Sequence, residues 1–539
     1  MENGRYDAYP FEVYTYDVVD STNAAARRAL AMMGESVDRS VHVAGEQTEG
    51  KGRRGRSWLN TEDAVMMSIV QSTKLSMDRI PMLNLAAAAA VRNAMLKMTG
   101  RAVDLSIKWP NDVVTTERLE KVCGILSEVV RIEGKKFAVI GIGLNLNADH
   151  LPDDLLQPAT SIYMQYGKYI GVLDAVNEIL KEFLVQYKLL MSDAEAFCKN
   201  FVQNCISIDR HLAVIEENRV RYGVGDRLAP NGQLLVRYED GVSDVVYAAD
   251  VSVISQKEID DQLAAKLMPR RRPGSNKGDH GRALIIAGSP GMPGAALMCT
   301  GACIRSGAGL TKALIPAEIM PSFAVIPEAM LSTDDGEAGR LIEWAGVIAI
   351  GPGMGVSERT KTLVKTALSS GKPCVADADA LNTIAEYPEL MELLHEKVLI
   401  TPHPGEMARL LGSDVDTVRK NFSASAISFA KQHKCGVLLK SASSIIVSSS
   451  GAVRYNDRGS SALAKGGSGD VLTGVIAAMA AQGAKLFDAA SLGAYLLGIS
   501  GEKAVYTLHN RFARATDMID IIASELGAEK DGIPDGNSV

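Results

Sequence analysis

The sequence lacks most features of a secreted, membrane-bound or nucleic-acid-coating protein. Its seven cysteines are odd in number and include no C-x-x-C pair, which argues against a disulfide framework or a cysteine zinc site and favours a reducing cytoplasm. No export signal is expected, because the first residues lack a cationic and apolar pattern. The formal net charge of −7 argues against a nucleic-acid or membrane partner.

Long hydrophobic runs are also missing. The longest candidates, residues 85–91 and 475–481, are rich in alanine and stay well below the about 18 apolar residues that span a bilayer. They favour buried helices. Glycine (49) and proline (19) stay far below low-complexity levels, while 47% of the 539 residues are hydrophobic. That length exceeds what one core normally serves, so we expect several ordered domains.

The first half divides into two predicted regions. Residues 1–200 mix strand-like runs such as 137–146 with helical runs such as 81–97, which is typical of an α/β or α+β domain. Residues 201–255 contain short strands separated by turn dipeptides at Asn231-Gly232 and Asp240-Gly241, which predict a small β-barrel. Residues 256–276 run from a polar stretch into an arginine and proline cluster and are interpreted as a linker.

The second half, residues 277–528, is predicted to be a doubly wound α/β domain with a mostly parallel sheet. Strand-like runs alternate with helical segments and end in glycine-rich or polar loops, where open α/β sheets bind ligands. These runs are 283–287, 347–350, 374–376, 398–400 and 436–439. We expect the tail, residues 529–539, to be disordered.

A basic, glycine-rich loop is the first chemical signal. Residues Glu49 to Trp58 contain three glycines and four cations, a pattern suited to a polyanion. The same pattern also fits a solvated loop or a nucleic-acid patch. Trp58 is interpreted as a packing residue and not as a site residue.

Together with other motifs, this loop resembles the catalytic domain of biotin protein ligases. The likeness covers residues 11–254 and rests on Ser21-Thr22-Asn23, Gly50 to Trp58, Lys108 to Asp112, Lys121 to Leu126 and Gly141 to Asn145. Lys51 departs from the usual arginine, and the stretch from Asp112 to Lys121 is slightly long. The resemblance implies an α+β catalytic domain followed by a small SH3-like barrel, without the DNA-binding segment of the repressor forms.

The resemblance also implies a reaction in which biotin and ATP form biotinyl-AMP, and a carrier-protein lysine then takes the biotin. Cations would stabilise the charge that develops at phosphorus. The implied catalytic residues are Arg53, Lys108 and Lys121. The implied biotin-binding residues are Ser21, Thr22, Asn23, Gln47, Gly50, Lys121 and Gly124. Arg53, Lys108 and Asn145 would contact the nucleotide, and Asp112 would orient Lys121 or hold Mg²⁺.

A second glycine-rich signal lies at Leu463 to Gly474, LAKGGSGDVLTG, ahead of an apolar helical run. Unpaired N–H groups at such a helix start can hold a phosphate, although G-G-S-G also fits a flexible loop. Asp470 beside this turn is suited to accept a proton during phosphoryl transfer. An aspartate there is also a common helix cap, and the spacing alone leaves both interpretations open.

This half resembles the ADP- or ATP-dependent NAD(P)H-hydrate dehydratases, which have a ribokinase-like fold. The likeness spans residues 268–526. Its motifs are Lys277 to Gly281, Ala287 to Ser289, Arg305 to Gly309, Ile350 to Gly355, Asp377 to Leu381, Thr401 to Met407 and Lys465 to Gly474. Departures are Met354, Ser441 and the segment Arg458 to Leu463. The epimerase domain often fused to this family is not expected.

The implied reaction phosphorylates the hydroxyl of the hydrated nicotinamide ring, and loss of phosphate then restores the dihydropyridine. The implied base is Asp470, with Lys440, Gly467, Ser468 and Gly469 at the nucleotide and Gly353 and His403 at the hydrate. His403 could instead only stabilise its turn. Asp377 and Asp379 could form a metal pair, but hydrogen bonds to neighbouring loops are favoured.

The sequence therefore predicts a bifunctional cytoplasmic enzyme with biotin, ATP or ADP, and Mg²⁺ as ligands. Its expected partners are a biotin carboxyl-carrier protein and hydrated NAD(P)H, and the resemblance implies a homo-oligomer. Two alternatives remain for the second half. It could be a ribokinase-like small-molecule kinase or a non-catalytic nucleotide-binding module.

Overall fold

Two units make up the chain, residues 1–256 and 257–539. The structure is a computed structural model that describes residues 2–52, 58–61, 63–152, 155, 157–216, 219–246, 250–253, 259–272 and 274–528. Within these residues, no helix combines the length and the apolar character needed to cross a membrane.

The first unit is built on an eight-stranded sheet in the order β1-β2-β3-β4-β8-β7-β6-β5. Its strands are Gly4–Ala8 (β1), Phe11–Val19 (β2), Ser40–Gln47 (β3), Val65–Ser72 (β4), Leu105–Lys108 (β5), Asp112–Thr115 (β6), Lys121–Ile132 (β7) and Lys135–Leu144 (β8). Among these eight strands, β2 and β3 pair in parallel and the other neighbours pair antiparallel. The helices are Thr22–Met33 (α1), Met82–Met98 (α2), Ile162–Tyr166 (α3), Val172–Ser192 (α4) and Ala194–Val202 (α5).

Helix α2 is the buried centre of this unit. Its alanines 86–90 are at most 8% exposed, and it packs against α4 and β7. Alanine favours the helix and lets neighbouring elements approach closely. The predicted buried helix over residues 85–91 is confirmed.

A second, five-stranded antiparallel sheet follows in the order β12-β11-β10-β9-β13. Its strands are His211–Glu216 (β9), Arg219–Leu228 (β10), Leu234–Tyr238 (β11), Ser243–Val246 (β12) and Asp250–Val253 (β13). Both predicted turns use a glycine with positive φ, Gly232 and Gly241. The sheet shares one hydrophobic cluster with the first sheet, and Trp109 Nε1 donates a hydrogen bond to the carbonyl of Gly232 (2.9 Å). Its closure into an SH3-like barrel stays a prediction.

The second unit has a nine-stranded sheet in the order β16-β15-β14-β17-β18-β19-β20-β21-β22. The strands are Arg282–Ile286 (β14), Leu310–Leu314 (β15), Met330–Ser332 (β16), Val347–Ile350 (β17), Cys374–Ala376 (β18), Val398–Ile400 (β19), Gly436–Leu439 (β20), Ser444–Val447 (β21) and Val453–Asn456 (β22). Strands β14 to β20 pair in parallel, and β21 and β22 add an antiparallel edge. The predicted α/β fold with a mostly parallel sheet is confirmed.

Helices cover both faces of this sheet. They are Asp261–Leu267 (α6), Pro293–Arg305 (α7), Ala338–Trp344 (α8), Glu358–Leu368 (α9), Asp379–Glu386 (α10), Pro404–Leu411 (α11), Val415–Lys420 (α12), Phe422–His433 (α13), Ser468–Ala481 (α14), Leu486–Leu508 (α15) and Ala515–Ala528 (α16). Helices α7, α14, α15 and α16 pack together, and their cluster includes alternate residues of β14 such as Ala283 and Ile285. Leu284 and Ile286 are equally buried but lie outside that cluster, as expected for a strand covered on both faces.

The chain order reverses between β14 and β17, which creates the crevice where open α/β sheets bind ligands. The loops after these two strands touch. Gly288 N donates to Pro352 O (2.8 Å), and Ser289 Oγ donates to Gly353 O (2.8 Å).

The segment predicted to be a linker folds in part against the second unit. Helix α6 lies inside residues 256–276, and Ile259 and Ala264 are 2% and 4% exposed in the core of this unit. The apolar residues of this segment are too few to show a period, so only the packed structure reveals its buried face. The predicted tail, residues 529–539, lies outside the described residues.

Candidate active sites

A cavity of about 1010 Å³ lies at the sheet of the first unit and gathers most of the predicted ligase residues. The predicted residues that line it are Ser21, Thr22, Asn23, Gln47, Gly50, Asp112, Lys121, Gly124 and Asn145. Lys108 is not among the described lining residues. It ends β5 and pairs with Asp112 in the strand register. Arg53 lies outside the described residues.

The start of α1 forms a hydrogen-bonded polar wall of this cavity. Ser21 caps the helix, because its side chain accepts a bond from Ala24 N (3.3 Å). Thr22 donates from its backbone N–H to Gln47 Oε1 (2.8 Å). The buried Ser68 Oγ lies 2.7 Å from Thr22 Oγ1 and 2.6 Å from Asn23 Oδ1. Sequence reasoning missed Ser68, since no motif surrounds it.

The charged part of the cavity is the pair Lys121 and Asp112. Lys121 Nζ lies 2.8 Å from Asp112 Oδ1, with side-chain exposures of 24% and 12%. This contact is the one expected if Asp112 orients Lys121, which stays a prediction. Asn145 lies near the pair and is held by its own bond from Nδ2 to Thr160 O (3.1 Å).

Trp58 also lines the cavity, although the sequence analysis left it out as a packing residue. Lys121 Nζ lies 5.8 Å from the centroid of its ring. A Cβ at Gly143 would overlap the indole, and one at Gly124 would lie 3.0 Å from it. These glycines face each other across β7 and β8. Both interpretations therefore hold, because the ring packs on the glycines and forms a cavity wall.

The candidate site of the second unit is at the carboxyl edge of its parallel sheet, where α14 begins. Gly467 is the N-cap, with φ 97°, and it provides no side-chain cap. Ser468 Oγ is buried without a hydrogen-bond partner among the described residues. The first backbone N–H groups of α14 thus have no side-chain cap, which is the arrangement that the predicted anion cradle requires. Asp470 lies in the first turn, so it is not the cap.

Buried charges surround Asp470. Asp377 follows β18 and pairs with Lys440, Oδ1 to Nζ 2.7 Å. Burial is the main cause that raises the pKa of Asp470 to about 6, and the Asp377 carboxylate adds to it. Burial alone would lower the pKa of Lys440, but Asp377 and Glu406 outweigh it and the pKa is raised. A carboxylate with a pKa near neutrality suits a general base.

His403 is a helix cap in this structure. Its Nδ1 accepts bonds from Gly405 N (2.9 Å) and Glu406 N (3.3 Å), while Glu406 Oε2 accepts from His403 N (2.8 Å). The turn-stabilising alternative therefore describes its contacts, and its half-exposed ring keeps Nε2 3.4 Å from Glu406 Oε1. Sequence reasoning missed Glu406, although its place three residues after His403 is the capping-box signal.

Asp379 and Asp377 have different partners. Asp379 Oδ2 accepts a bond from Gly355 N (2.8 Å) and Oδ1 one from Asn382 Nδ2 (3.1 Å). In the part of the chain that is described, no cluster of three or more histidine, cysteine or acidic side chains could hold a metal. The favoured interpretation, hydrogen bonds to neighbouring loops, agrees with these contacts. Gly353, in the loop after β17, has φ 64°.

The segment Arg458 to Leu463, which departs from the family pattern, has an anchor of its own. Arg458 Nη2 pairs with Glu502 Oε2 (2.8 Å), and Gly459 N donates to Glu502 Oε1 (2.9 Å). Ser460 Oγ donates to Gly501 O (2.6 Å). The altered segment is thus fixed to α15.

Two protein families match different parts of the chain. Residues 283–524 match the family described as NAD(P)H-hydrate dehydratase, and residues 16–147 match the Biotin/lipoate A/B protein ligase family. A bifunctional NAD(P)H-hydrate repair enzyme from Moorella thermoacetica is 39% identical over 47% of this chain and 51% of its own length. The chain thus spans about half the length of the first curated relatives it matches.

The matches to two further proteins extend over almost the full length of those proteins. An ADP-dependent (S)-NAD(P)H-hydrate dehydratase from Xanthomonas campestris is 32% identical over 50% of this chain and 94% of its own length. A structure of biotin protein ligase from Aquifex aeolicus with biotin and ATP is 26% identical and covers 44% of this chain and 97% of its own, with a TM-score of 0.39.

Proposed function

The chain belongs, through its second unit, to the NAD(P)H-hydrate dehydratase family, and on that premise we propose that residues 277–528 dehydrate hydrated NAD(P)H at the expense of ADP or ATP. The observation that carries the proposal is the half-buried Asp470 carboxylate beside the N-terminal N–H groups of α14, with a pKa raised to about 6. A base and a phosphate cradle at one helix turn are what phosphoryl transfer to a hydroxyl needs.

Asp470 accepts the proton of the ring hydroxyl. The hydroxyl oxygen bonds to the terminal phosphorus of the nucleotide, and the bond from that phosphorus to the leaving phosphate oxygen breaks. Phosphate then leaves the ring with the electrons of the C–O bond, a proton leaves the neighbouring carbon, and the ring double bond returns. We assign the transferring phosphoryl group to Gly467, Ser468 and Gly469, with Lys440 beside the nucleotide.

The hydrate is assigned to the loops that carry Gly353 and His403. His403 caps α11 by accepting bonds at Nδ1, so Nε2 is the donor atom of its half-exposed ring, and this nitrogen lies 3.4 Å from Glu406 Oε1. It therefore enters this proposal as a hydrogen-bond donor at the rim and not as a base.

The test is recovery of the NADH absorbance from its hydrate by the full chain with ADP or with ATP. Turnover supports the dehydratase. A phosphorylated product that accumulates supports a ribokinase-like small-molecule kinase, and nucleotide binding without any product supports a non-catalytic module. The anchored segment at Arg458 and the intact cradle favour the catalytic alternatives over the module.

For the first unit we propose ATP-dependent biotinylation of a carrier-protein lysine through biotinyl-AMP. Lys121 and Asp112 beside the polar wall of Ser21, Thr22 and Asn23 support it, because a cation and an array of hydrogen-bonding groups share one cavity. Lys108 and Arg53 complete the proposed phosphate-binding set, with Gln47, Gly50 and Gly124 at biotin and Asn145 at the nucleotide. Biotin-dependent release of pyrophosphate, followed by transfer to a biotin carboxyl-carrier protein, is the test.

The fit of Mg²⁺ to Asp112 is poor. One oxygen of this carboxylate is engaged by Lys121, and the described residues offer no cluster of ligands around it. We therefore derive no step through Mg²⁺ and propose that any ion arrives with the nucleotide phosphates.

We further propose a cytoplasmic homo-oligomer in which residues 1–200 and an SH3-like barrel at 201–255 form the ligase. The seven cysteines are free and six of them are buried, which suits a reducing compartment. Gel filtration with light scattering tests the oligomeric state.

A further inference from the structure

Asp377 connects three parts of the second site. Its side chain is 2% exposed, and each oxygen has its own partner. Oδ1 accepts a bond from Lys440 Nζ (2.7 Å), and Oδ2 accepts one from Thr473 Oγ1 (2.8 Å). The carboxylate thus joins the ends of β18 and β20 to helix α14.

The bond to Thr473 acts on the turn that carries Asp470. Residues three apart are neighbours on one face of a helix, so a fixed Thr473 also fixes the orientation of Asp470. The approach is close, because a Cβ at Gly469 would lie 3.3 Å from Lys440 Nζ and 3.6 Å from Asp377 Oδ2. A side chain at position 469 would therefore press on the Lys440 ammonium, which would have to move by a few tenths of an ångström.

Asp377 is also the charged group with the largest effect on Asp470. The groups that face Asp470 are Asp377, Asp379, Glu406, Lys440 and, from α7, Cys299. Burial and then Asp377 raise the pKa of Asp470, Lys440 lowers it, and Asp379 and Glu406 raise it by less than Asp377 does. Glu406 accepts a capping bond from His403 N, and Asp379 accepts a bond from Gly355 N in a neighbouring loop. Asp377, in contrast, accepts a bond from Thr473 of helix α14 itself.

We propose that Asp377 is a positioning residue of the second site, which holds Lys440 and the first turn of α14 in place around the Asp470 carboxylate. It is proposed to act through these groups and not on the substrate. The proposal deepens the dehydratase function and rests on the role given there to Asp470.

The first experiment measures kcat against pH in the full chain for the wild type and for Asp377→Asn, Thr473→Val and Asp379→Asn. Asp377→Asn removes a negative charge and releases Lys440, and both changes lower the pKa of Asp470. The acidic limb of the profile should move down by about one pH unit, the scale for one nearby charge. Asp379→Asn is the matched control from the same motif and should move the limb less.

Thr473→Val keeps the charge of Asp377 and removes only the bond to α14. We expect kcat to fall by about ten- to a hundredfold, the scale for a misplaced reacting group, with the acidic limb unmoved. An unmoved limb in Asp377→Asn, or equal shifts in Asp377→Asn and Asp379→Asn, would overturn the electrostatic part. Wild-type kcat in Thr473→Val would overturn the positioning part.

The second experiment needs no turnover and separates this proposal from the dehydratase assignment. Because burial raises the pKa of Asp470 from its ordinary value of 3.8 to about 6 in the folded state, folding stability falls as pH rises from about 4 to about 6 and is level above that. D470N lacks this loss, so the unfolding midpoint of D470N minus that of the wild type should increase between about pH 4 and 6 and level off at higher pH. In the Asp377→Asn background the same increase should be smaller and occur at lower pH.

A difference curve that is identical in both backgrounds would refute the coupling, even in an active enzyme. A shifted curve in a chain without dehydratase turnover would refute the proposed function and leave the coupling of Asp377 to Asp470 standing. If the Asp377→Asn protein does not fold, Lys440→Met replaces it in both experiments. That variant removes the cation and should raise the pKa of Asp470, moving both curves to higher pH.

Discussion

The two candidate sites arrange charge in opposite ways. In the first unit one lysine and one aspartate form a pair beside a glycine-lined aromatic wall, and the pair keeps partial exposure. In the second unit Asp377, Glu406 and Asp470 lie around Lys440, and burial, followed by the Asp377 carboxylate, raises the pKa of Asp470. The first arrangement suits the stabilisation of anionic reactants. The second holds a carboxylate, Asp470, that can accept a proton near neutral pH.

Among the substitutions considered, removal of the proposed base Asp470 should have the largest effect on activity. Asp470→Asn keeps the shape of the first turn of α14 and should lower dehydration by about two to four powers of ten, the range for loss of a general base. Wild-type kcat should rise with pH through about 6, where Asp470 loses its proton. The assay is recovery of NADH absorbance.

Asp414→Asn is the matched control, because Asp414 is a true helix cap that accepts a bond from Thr417 N (2.8 Å). Asparagine caps nearly as well as aspartate, so its turnover should stay near wild type. Wild-type turnover in a folded Asp470→Asn protein would remove Asp470 from the mechanism.

In the first unit, Lys121→Ala should slow biotin-dependent pyrophosphate release by about a hundredfold, the scale for one lost electrostatic donor. It also leaves the Asp112 carboxylate unpaired in the cavity. Lys135→Ala, which removes an exposed lysine paired with Glu35 outside the cavity lining, is the control. Equal rates for the two variants would disprove the assigned role of Lys121.

The aromatic wall gives a smaller effect. Gly143→Ala places a methyl group against the Trp58 ring, and overpacking of this kind costs about 1–3 kcal/mol. We expect biotin binding, measured by calorimetry, to weaken by about ten- to a hundredfold. If displacement of the ring is the cause, Gly143→Ala should add little to Trp58→Ala. Additive losses would contradict that explanation.

The smallest expected effect concerns the unit boundary. A fragment of residues 257–539 retains α6, whereas one of residues 268–539 loses buried Ile259 and Ala264 and the contact from Tyr495 Oη to Asp261. We expect the shorter fragment to melt about 5 °C lower, corresponding to about 2 kcal/mol. Equal melting temperatures of the two fragments would indicate that α6 does not stabilise the second unit and is part of the linker.

Local patterns predicted the parallel sheet well. The runs 347–350, 374–376, 398–400 and 436–439 are β17 to β20, and β14 begins one residue earlier than predicted. Buried parallel strands read as continuous apolar runs between turn residues, so neighbouring residues suffice. The strands β15, β16, β21 and β22 were not predicted individually.

The sequence also predicted most of the first cavity, because glycines and charged residues there occur in compact motifs. It predicted Trp58 as a packing residue but not that its partners are glycines on two other strands at the cavity, and it missed Ser68 in β4. Neither contact leaves a local trace, since strand pairing joins residues that are far apart in the chain.

The sequence by itself determined the α/β class of the second unit, the run of its central strands and the glycine-rich turn with Asp470 at the start of α14. These depend on propensities and on residues within one helix turn or strand. Only the tertiary structure decided that Asp377 joins Lys440 to Thr473 and that the pKa of Asp470 is raised to about 6. Burial and through-space charge set these properties, and both depend on which distant segments the fold brings together.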